Sequence, residues 1–348
     1  VDRITRPPYR AATFEARVFT PRLAAVYYGR VPPPVGAFDH IFMTPPASTP
    51  VPTDARRGIG WMLIAMLLAV IMDVTAKHLL ESYSVAQIIW ARYAFHLAAL
   101  ALILRHRYRA ALRTPRSALQ TARSIVLVIS TALIFTSLKL IALADVYAVM
   151  ATAPLLITAL SAPVLGEWVG PRRWAGVVTG FVGALIIIRP GSGAMHVAVL
   201  VPLAAAAMIA MFQLITRLLS HTDALMTTVA YTPIAGAIAA SCVAPFFWTT
   251  PDLLSWGLMA AMGGFGAAFQ FCIIRAYSAA PASTVAPYNY SNLVWAALFG
   301  FLVFAEVPDP WTVVGAGVIT VSGLYIFHRE RLRSESSAAL ESGRNHAL

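Results

Sequence analysis

"SLKLIALADVYAVMATAPLLITALSAPVLGEWVGPRRWAGVVTGFVGALIIIRPG", residues Ser137 to Gly191, is echoed by "IIRAYSAAPASTVAPYNYSNLVWAALFGFLVFAEVPDPWTVVGAGVITVSGLYIFHRE", Ile273 to Glu330. A shift of 139 residues superposes Glu167 on Glu306 and Gly176 on Gly315. Near the start of the two stretches, Phe135 and Lys139 meet Phe271 and Arg275 at a shift of 136, which implies a three-residue insertion. A few glycines and a glutamate could coincide by chance, but order, length and loop position also agree. The chain says something similar twice.

Both stretches consist of apolar runs about as long as a bilayer-spanning helix. Ten such runs occur, at 59–80, 84–104, 122–143, 146–166, 172–189, 196–218, 224–248, 253–277, 284–305 and 311–328. Hydrophobic residues make up 59% of the chain and charged ones 12%. A soluble domain carries about a quarter charged residues, so the solvent here is mostly lipid. Backbone groups in hydrocarbon must be satisfied within the segment, which favours helices. A β-barrel would show alternating strands of about ten residues instead. Each unit holds five spans, an odd number, so the second enters the membrane from the opposite side. The expected fold is an all-α integral membrane protein of ten transmembrane helices in two inverted five-helix repeats, an arrangement that secondary carriers use to alternate access to a midplane site.

Lys and Arg favour the cytoplasmic side. Arg56 and Arg57 precede the first span, six arginines from Arg105 to Arg123 follow the second, and Arg172 and Arg173 follow the fourth. With Arg217, Arg275 and four more from Arg329 to Arg344, sixteen lie on one side, against Lys77, Lys139 and Arg189 on the other. Both termini are therefore expected in the cytoplasm, and the membrane is the cell (inner) membrane. The net charge of +11 is scattered between apolar runs and forms no face for nucleic acid. Cys242 and Cys272 have neither metal-ligand spacing nor the look of a disulfide framework. No cofactor or metal is expected. Residues 1–57, rich in Pro and Arg, read as a disordered segment or the product of a start site placed too far upstream.

The stretches "MDVTAKHLLESYSVAQIIWAR", "APVLGEWV" and "APYNYSNLVWAALFGFLVFAEVPDPWTVVGAGVITVSGLYI" resemble EamA-type transporters of the drug/metabolite transporter superfamily, over nearly all of residues 58–330. The resemblance implies ten helices in two inverted five-helix halves, a central cavity and movement of small metabolites; the halves fall at 58–190 and 196–328, and the charge count makes 329–348 a cytoplasmic tail. Such motifs are specific for the family and poor at specifying cargo.

The candidate site residues are the polar ones inside the spans. Asp73 lies roughly 10 Å below the outer boundary and Arg92 roughly 12 Å below it, on consecutive antiparallel helices. They are expected to face each other, with Lys77 one turn above Asp73 able to compete. Two readings stand: a pair that pins the hairpin while Lys77 snorkels, or a site for anionic cargo or proton coupling. In "APYNYSNLVW", Pro287 frees a carbonyl and permits a bend, and Tyr290 or Asn292 is a cargo candidate. Thr152 and Pro154 occupy the matching place in the first half. Gln213 and Gln270 either line a wet cavity or join two helices. His96 reads as a packed hydrogen-bonding residue. Glu167 and Glu306, at span ends, read as structural ion pairs. Gly176 and Gly315 permit close helix approach, and Gly263, Gly264 and Gly266 leave room for cargo or for helix movement.

No metalloprotease, nucleophile-elbow or Walker A motif lies in the chain, which weighs against an intramembrane enzyme or an ATPase. The leading expectation is a secondary carrier of a small organic metabolite working by alternating access, with uptake of a riboflavin-like or S-adenosylmethionine-like cargo as the alternative. Its partners would be the bilayer, the cargo and a proton or exchanged solute, in a monomer or homodimer.

Overall fold

The computed structural model describes residues 54–105, 108–112, 114–165, 169–189, 195–220 and 222–345. Most of the N-terminal segment and Glu167 lie outside them. α1 (Ala55–Leu79) starts where the Asp54 carboxylate accepts the Arg57 amide at 3.2 Å, and α2 (Val85–Leu104) starts where the Ser84 hydroxyl accepts the Gln87 amide. Both are side-chain caps of amides that have no intrahelical partner. After the short α3 (Tyr108–Ala111) come α4 (Ser117–Leu140), α5 (Leu143–Met150), α6 (Ala153–Leu165) and α7 (Pro171–Ile188). The second half comprises α8 (Met195–Ser220), α9 (Leu225–Val243), α10 (Leu253–Ala279), α11 (Ala282–Val285), α12 (Ser291–Phe304) and α13 (Pro310–Asn345).

Among the described residues nine helical stretches are long and apolar enough to cross a membrane. The tenth crossing is 282–304, broken by a 3₁₀ turn over Ala286–Tyr290. Its counterpart in the first half is broken too, between α5 and α6, where Pro154 offers no amide to continue the ladder. Outward faces carry Ile64, Ile129, Val178, Leu185 and Val321, apolar side chains that suit lipid and not water. α13 continues well past the expected end of the last span, to Asn345.

The helices pack in a pattern that survives exchange of the two halves. α1 lies on α10 and α12; correspondingly, α8 lies on α4 and on α5–α6. α2 contacts α10 as α9 contacts α4, while α2–α9 and α7–α13 are contacts of each helix with its own counterpart. At the α7–α13 crossing the Ser322 hydroxyl donates to the Gly176 carbonyl, and Gly183 meets Gly315 backbone to backbone. The 139-residue shift carries Gly176 onto Gly315 and Gly183 onto Ser322, so these two contacts are images of each other. The repeat is thus a repeat of packing and not of sequence alone.

Candidate cargo site

α1 and α2 are joined by a short turn, yet they splay apart and each packs on α10. This alters the expected geometry of Asp73. Depth along consecutive helices placed it opposite Arg92, but among the described residues the two form no ion pair within 4 Å. Instead the Tyr147 hydroxyl, from α5, donates to Asp73 Oδ2 at 2.8 Å. Asp73 is 6% exposed, and its Oδ1 has no hydrogen-bond partner among the described residues. Arg92 lies over the Phe135 ring at 5.4 Å and the Tyr93 ring at 5.8 Å. Its charge still reaches Asp73, Tyr147 and His96. A carboxylate and a guanidinium therefore share one buried region without neutralising each other by contact.

His96 borders the same region, buried, with Nε2 unpartnered. The glycines of α10 make this possible: a Cβ at Gly263 would stand 2.8 Å from the His96 amide nitrogen, and one at Gly266 would stand 3.6 Å from His96 Nδ1. These two serve close approach to α2, whereas Gly264 has open space around it. The break before α6 is sealed locally by the Thr152 hydroxyl, which donates to the Val149 carbonyl at 2.7 Å. Thr152 is thereby committed to its own backbone.

Lys77 does not compete for Asp73. It turns to Glu306, donates also to the Ile141 carbonyl at 3.1 Å, and lies 5.1 Å from the centre of the Phe304 ring. Glu306 accepts the Leu143 amide at 2.8 Å as well, and so caps α5. Tyr290 is buried against Gly323 of α13, with its hydroxyl unpartnered, and Asn292 is half-buried. Ser291 Oγ and Trp295 Nε1 beside them are also buried without partners. Gln213 is exposed on α8 and Gln270 half-buried on α10; no described contact brings either to Asp73.

Two features escaped the sequence reading. Tyr147, inside an apolar run, announces itself only as a lone phenol, and its partner is set by the tertiary fold. Arg123, counted with the cytoplasmic loop, is instead 2% exposed within α4. It donates to the Thr228 carbonyl at 2.7 Å and to the hydroxyls of Thr232 and Thr216 from α9 and α8, and stacks over Phe212 at 4.7 Å. Gln120 and Thr114 both donate to Asp223 nearby, at 2.8 and 2.7 Å. A surface groove of about 650 Å³ lies elsewhere again, between α7 and α13 around Gly176, Gly317 and Tyr325. It is apolar and open to the surface, whereas the charges lie inside the bundle.

The EamA-like transporter family model matches this chain twice, over residues 56–189 and 196–327. The chain belongs to the EamA-like transporter family. This EamA-like transporter is 27% identical over 277 residues to an S-adenosylmethionine uptake transporter of Rickettsia prowazekii, covering 79% of the chain and 93% of the relative. It is 31% identical over 286 residues to a riboflavin transporter of Vibrio cholerae, covering 80% and 95%. A pseudopaline exporter of Pseudomonas aeruginosa matches at 27%, covering 77% and 94%. A solved crystal structure superposes on 80% of the chain and 98% of its own length, with a TM-score of 0.55 at 20% identity, which speaks for the fold alone. The molecule is a multi-pass membrane transporter of small metabolites, built from two copies of the EamA unit.

Proposed function

We propose that this EamA-like transporter carries an amphoteric metabolite of the S-adenosylmethionine kind, by alternating access, with both termini in the cytoplasm. The observation that carries this reading is the separation of Asp73 from Arg92. A buried charge in a membrane protein needs a partner, and here the Asp73 Oδ1 atom has none while Arg92 faces aromatic rings. A cargo with a carboxylate at one end and a sulfonium or ammonium group at the other would complete both charges at once. The broken helices α5–α6 and α11–α12 support the same place, since discontinuous helices in matching positions of two inverted halves commonly form carrier sites. Tyr147, one turn before the first break, fixes Asp73 for this role.

The second reading is a planar, uncharged riboflavin-like cargo, favoured by the 31% identity to a riboflavin transporter. The test is uptake of radiolabelled S-adenosylmethionine and of riboflavin into proteoliposomes. On the leading reading S-adenosylmethionine enters, and Asp73→Asn and Arg92→Gln each abolish its entry while the protein stays monodisperse. Riboflavin uptake that is indifferent to both substitutions would replace it with the second.

A further inference from the structure

The groove between α7 and α13 lies where the last helices of the two halves cross, open to the outside of the bundle. Along α13 its wall runs from Val314 to Tyr325, roughly 16 Å at about 1.5 Å per residue. That is about half of the roughly 30 Å hydrocarbon core of a bilayer, the depth of one leaflet. Two hydroxyls lie in its floor, and both are already used. Thr179 donates to the Ala175 carbonyl at 2.9 Å, and Ser322 to the Gly176 carbonyl. Apart from these and the tyrosine at its mouth, the lining is valine, alanine and glycine, which suits a hydrocarbon chain. Gly317 keeps the middle open, since a Cβ there would meet nothing within 4 Å.

One mouth of this groove is basic. Where α7 begins, Arg172 is exposed one turn before Gly176, on the face that lines the groove. Arg329, one turn beyond Tyr325 on α13, donates to the Tyr325 hydroxyl at 3.4 Å and lies 5.9 Å from the centre of its ring. Helical side chains lean toward the N-terminus of their helix. Arg329 therefore leans back over the mouth of the groove, while Arg172 leans outward from it, into the layer where headgroups lie. The far end differs. There the 139-residue shift carries Arg172 onto Trp311, and Arg189 is paired with Asp309. The basic mouth is the one expected to face the cytoplasm.

We propose that this groove binds one anionic phospholipid, with an acyl chain lying along Gly317 and the phosphate held between Arg172 and Arg329. An apolar groove alone would take any lipid; the two guanidinium groups select an anionic headgroup, as basic pockets between spanning helices do. A second copy of the chain is the other candidate occupant. A two-fold axis along the membrane normal would bring Arg172 and Arg329 of one copy toward the same arginines of the other, and like charges oppose that contact. A lipid phosphate neutralises them instead. Arg172 belongs to the first half and Arg329 closes the second, so the bound lipid fastens the two halves together where α7 and α13 cross. The inference goes beyond the carrier function and is independent of the cargo.

The purified full chain, delipidated in detergent, is titrated with phosphatidylglycerol or with phosphatidylcholine of identical acyl chains, and native mass spectrometry counts the lipid bound. The wild type should hold one phosphatidylglycerol. Each arginine beside an anionic headgroup strengthens binding by roughly fivefold, so phosphatidylcholine should bind about 25-fold more weakly. Arg172→Gln combined with Arg329→Gln should remove that preference and leave the weaker, apolar binding. Gly317→Leu fills the groove and should lower the binding of both lipids. Equal binding of the two lipids by the wild type would overturn the proposal, as would a preference that survives the double arginine substitution. A two-chain mass that persists without lipid would overturn it in favour of a second copy. If Gly317→Leu does not fold, the arginine pair decides.

Discussion

At the scale of single residues, Asp73 and Tyr147 separate charge from hydrogen bonding. Tyr147→Phe removes the one donor that the described residues give Asp73 Oδ2 and leaves a buried acceptor unpaired, which typically costs about 1–3 kcal/mol. A lowered midpoint of thermal unfolding in detergent should show it. Asp73→Asn keeps an acceptor for Tyr147 and removes only the charge, so it should melt close to the wild type and still fail to transport. Because Asp73 and Arg92 form no ion pair within 4 Å among the described residues, neutralising both should not restore transport; recovered uptake in the double variant would mean that the two charges only balance each other. The residue types at this site were legible in the sequence, since a carboxylate and a guanidinium stand out in apolar runs. Their partners were not. Asp73 was assigned to Arg92 from depth along two consecutive helices, and depth says nothing of which helices are neighbours.

At the scale of elements, the glycines state where helices touch. A Cβ at Gly315 would lie 2.6 Å from the Gly183 carbonyl oxygen, whereas one at Gly317 meets nothing within 4 Å. Gly315→Ala should therefore force α7 and α13 apart, at a cost of roughly 1–3 kcal/mol as for other overpacked contacts, and Gly317→Ala should be neutral in the same thermal unfolding experiment. At the opposite end of the bundle, α4 is tied to the turn before α9 through Asp223. Burial pushes that carboxyl up, but hydrogen bonds from Gln120 and Thr114 and the Arg116 charge outweigh it and hold it below its ordinary value. A lowered carboxyl stabilises the fold above its unfolded-state value, and the contribution disappears as pH falls through the folded one. The stability difference between wild type and Asp223→Asn should hold steady near neutrality and shrink below about pH 4. The existence of these helices was plain from apolar run length. The interruptions at α5–α6 and before α12 were signalled only by Pro154 and Pro287, and the extension of α13 past residue 328 by nothing hydrophobic at all.

At the scale of the whole molecule, the ten-span count and the two-fold repeat were both readable, because run length and a 139-residue offset survive without any knowledge of contacts. An even number of spans puts both termini on one side, and the distribution of basic residues predicts that this is the cytoplasmic side. Tags after Asp54 and after Arg333 should each be protected from a membrane-impermeant reagent in intact cells; labelling at either one would mean a miscounted span. What the repeat could not disclose is that the halves interlock, with α1 seated on α10 and α4 on α8. The order of synthesis then matters. Arg123 enters the membrane with α4, but the hydroxyls and carbonyl that receive it lie 93 to 109 residues further along the chain. At roughly 5–20 residues per second, the ribosome needs about 5–20 s to deliver them. An arginine at the centre of a spanning helix costs about 2.5–3.5 kcal/mol; Arg123, the seventh residue of α4, bears part of that cost until its partners arrive, so the nascent α4 should ride nearer the interface and settle only when α8 and α9 emerge. A cysteine replacing Ser124, which is 0% exposed in the folded protein and leaves Arg123 in place, in a chain halted at residue 190 and so free of Cys242 and Cys272, should react with a water-soluble thiol reagent that no longer reaches it in the finished protein.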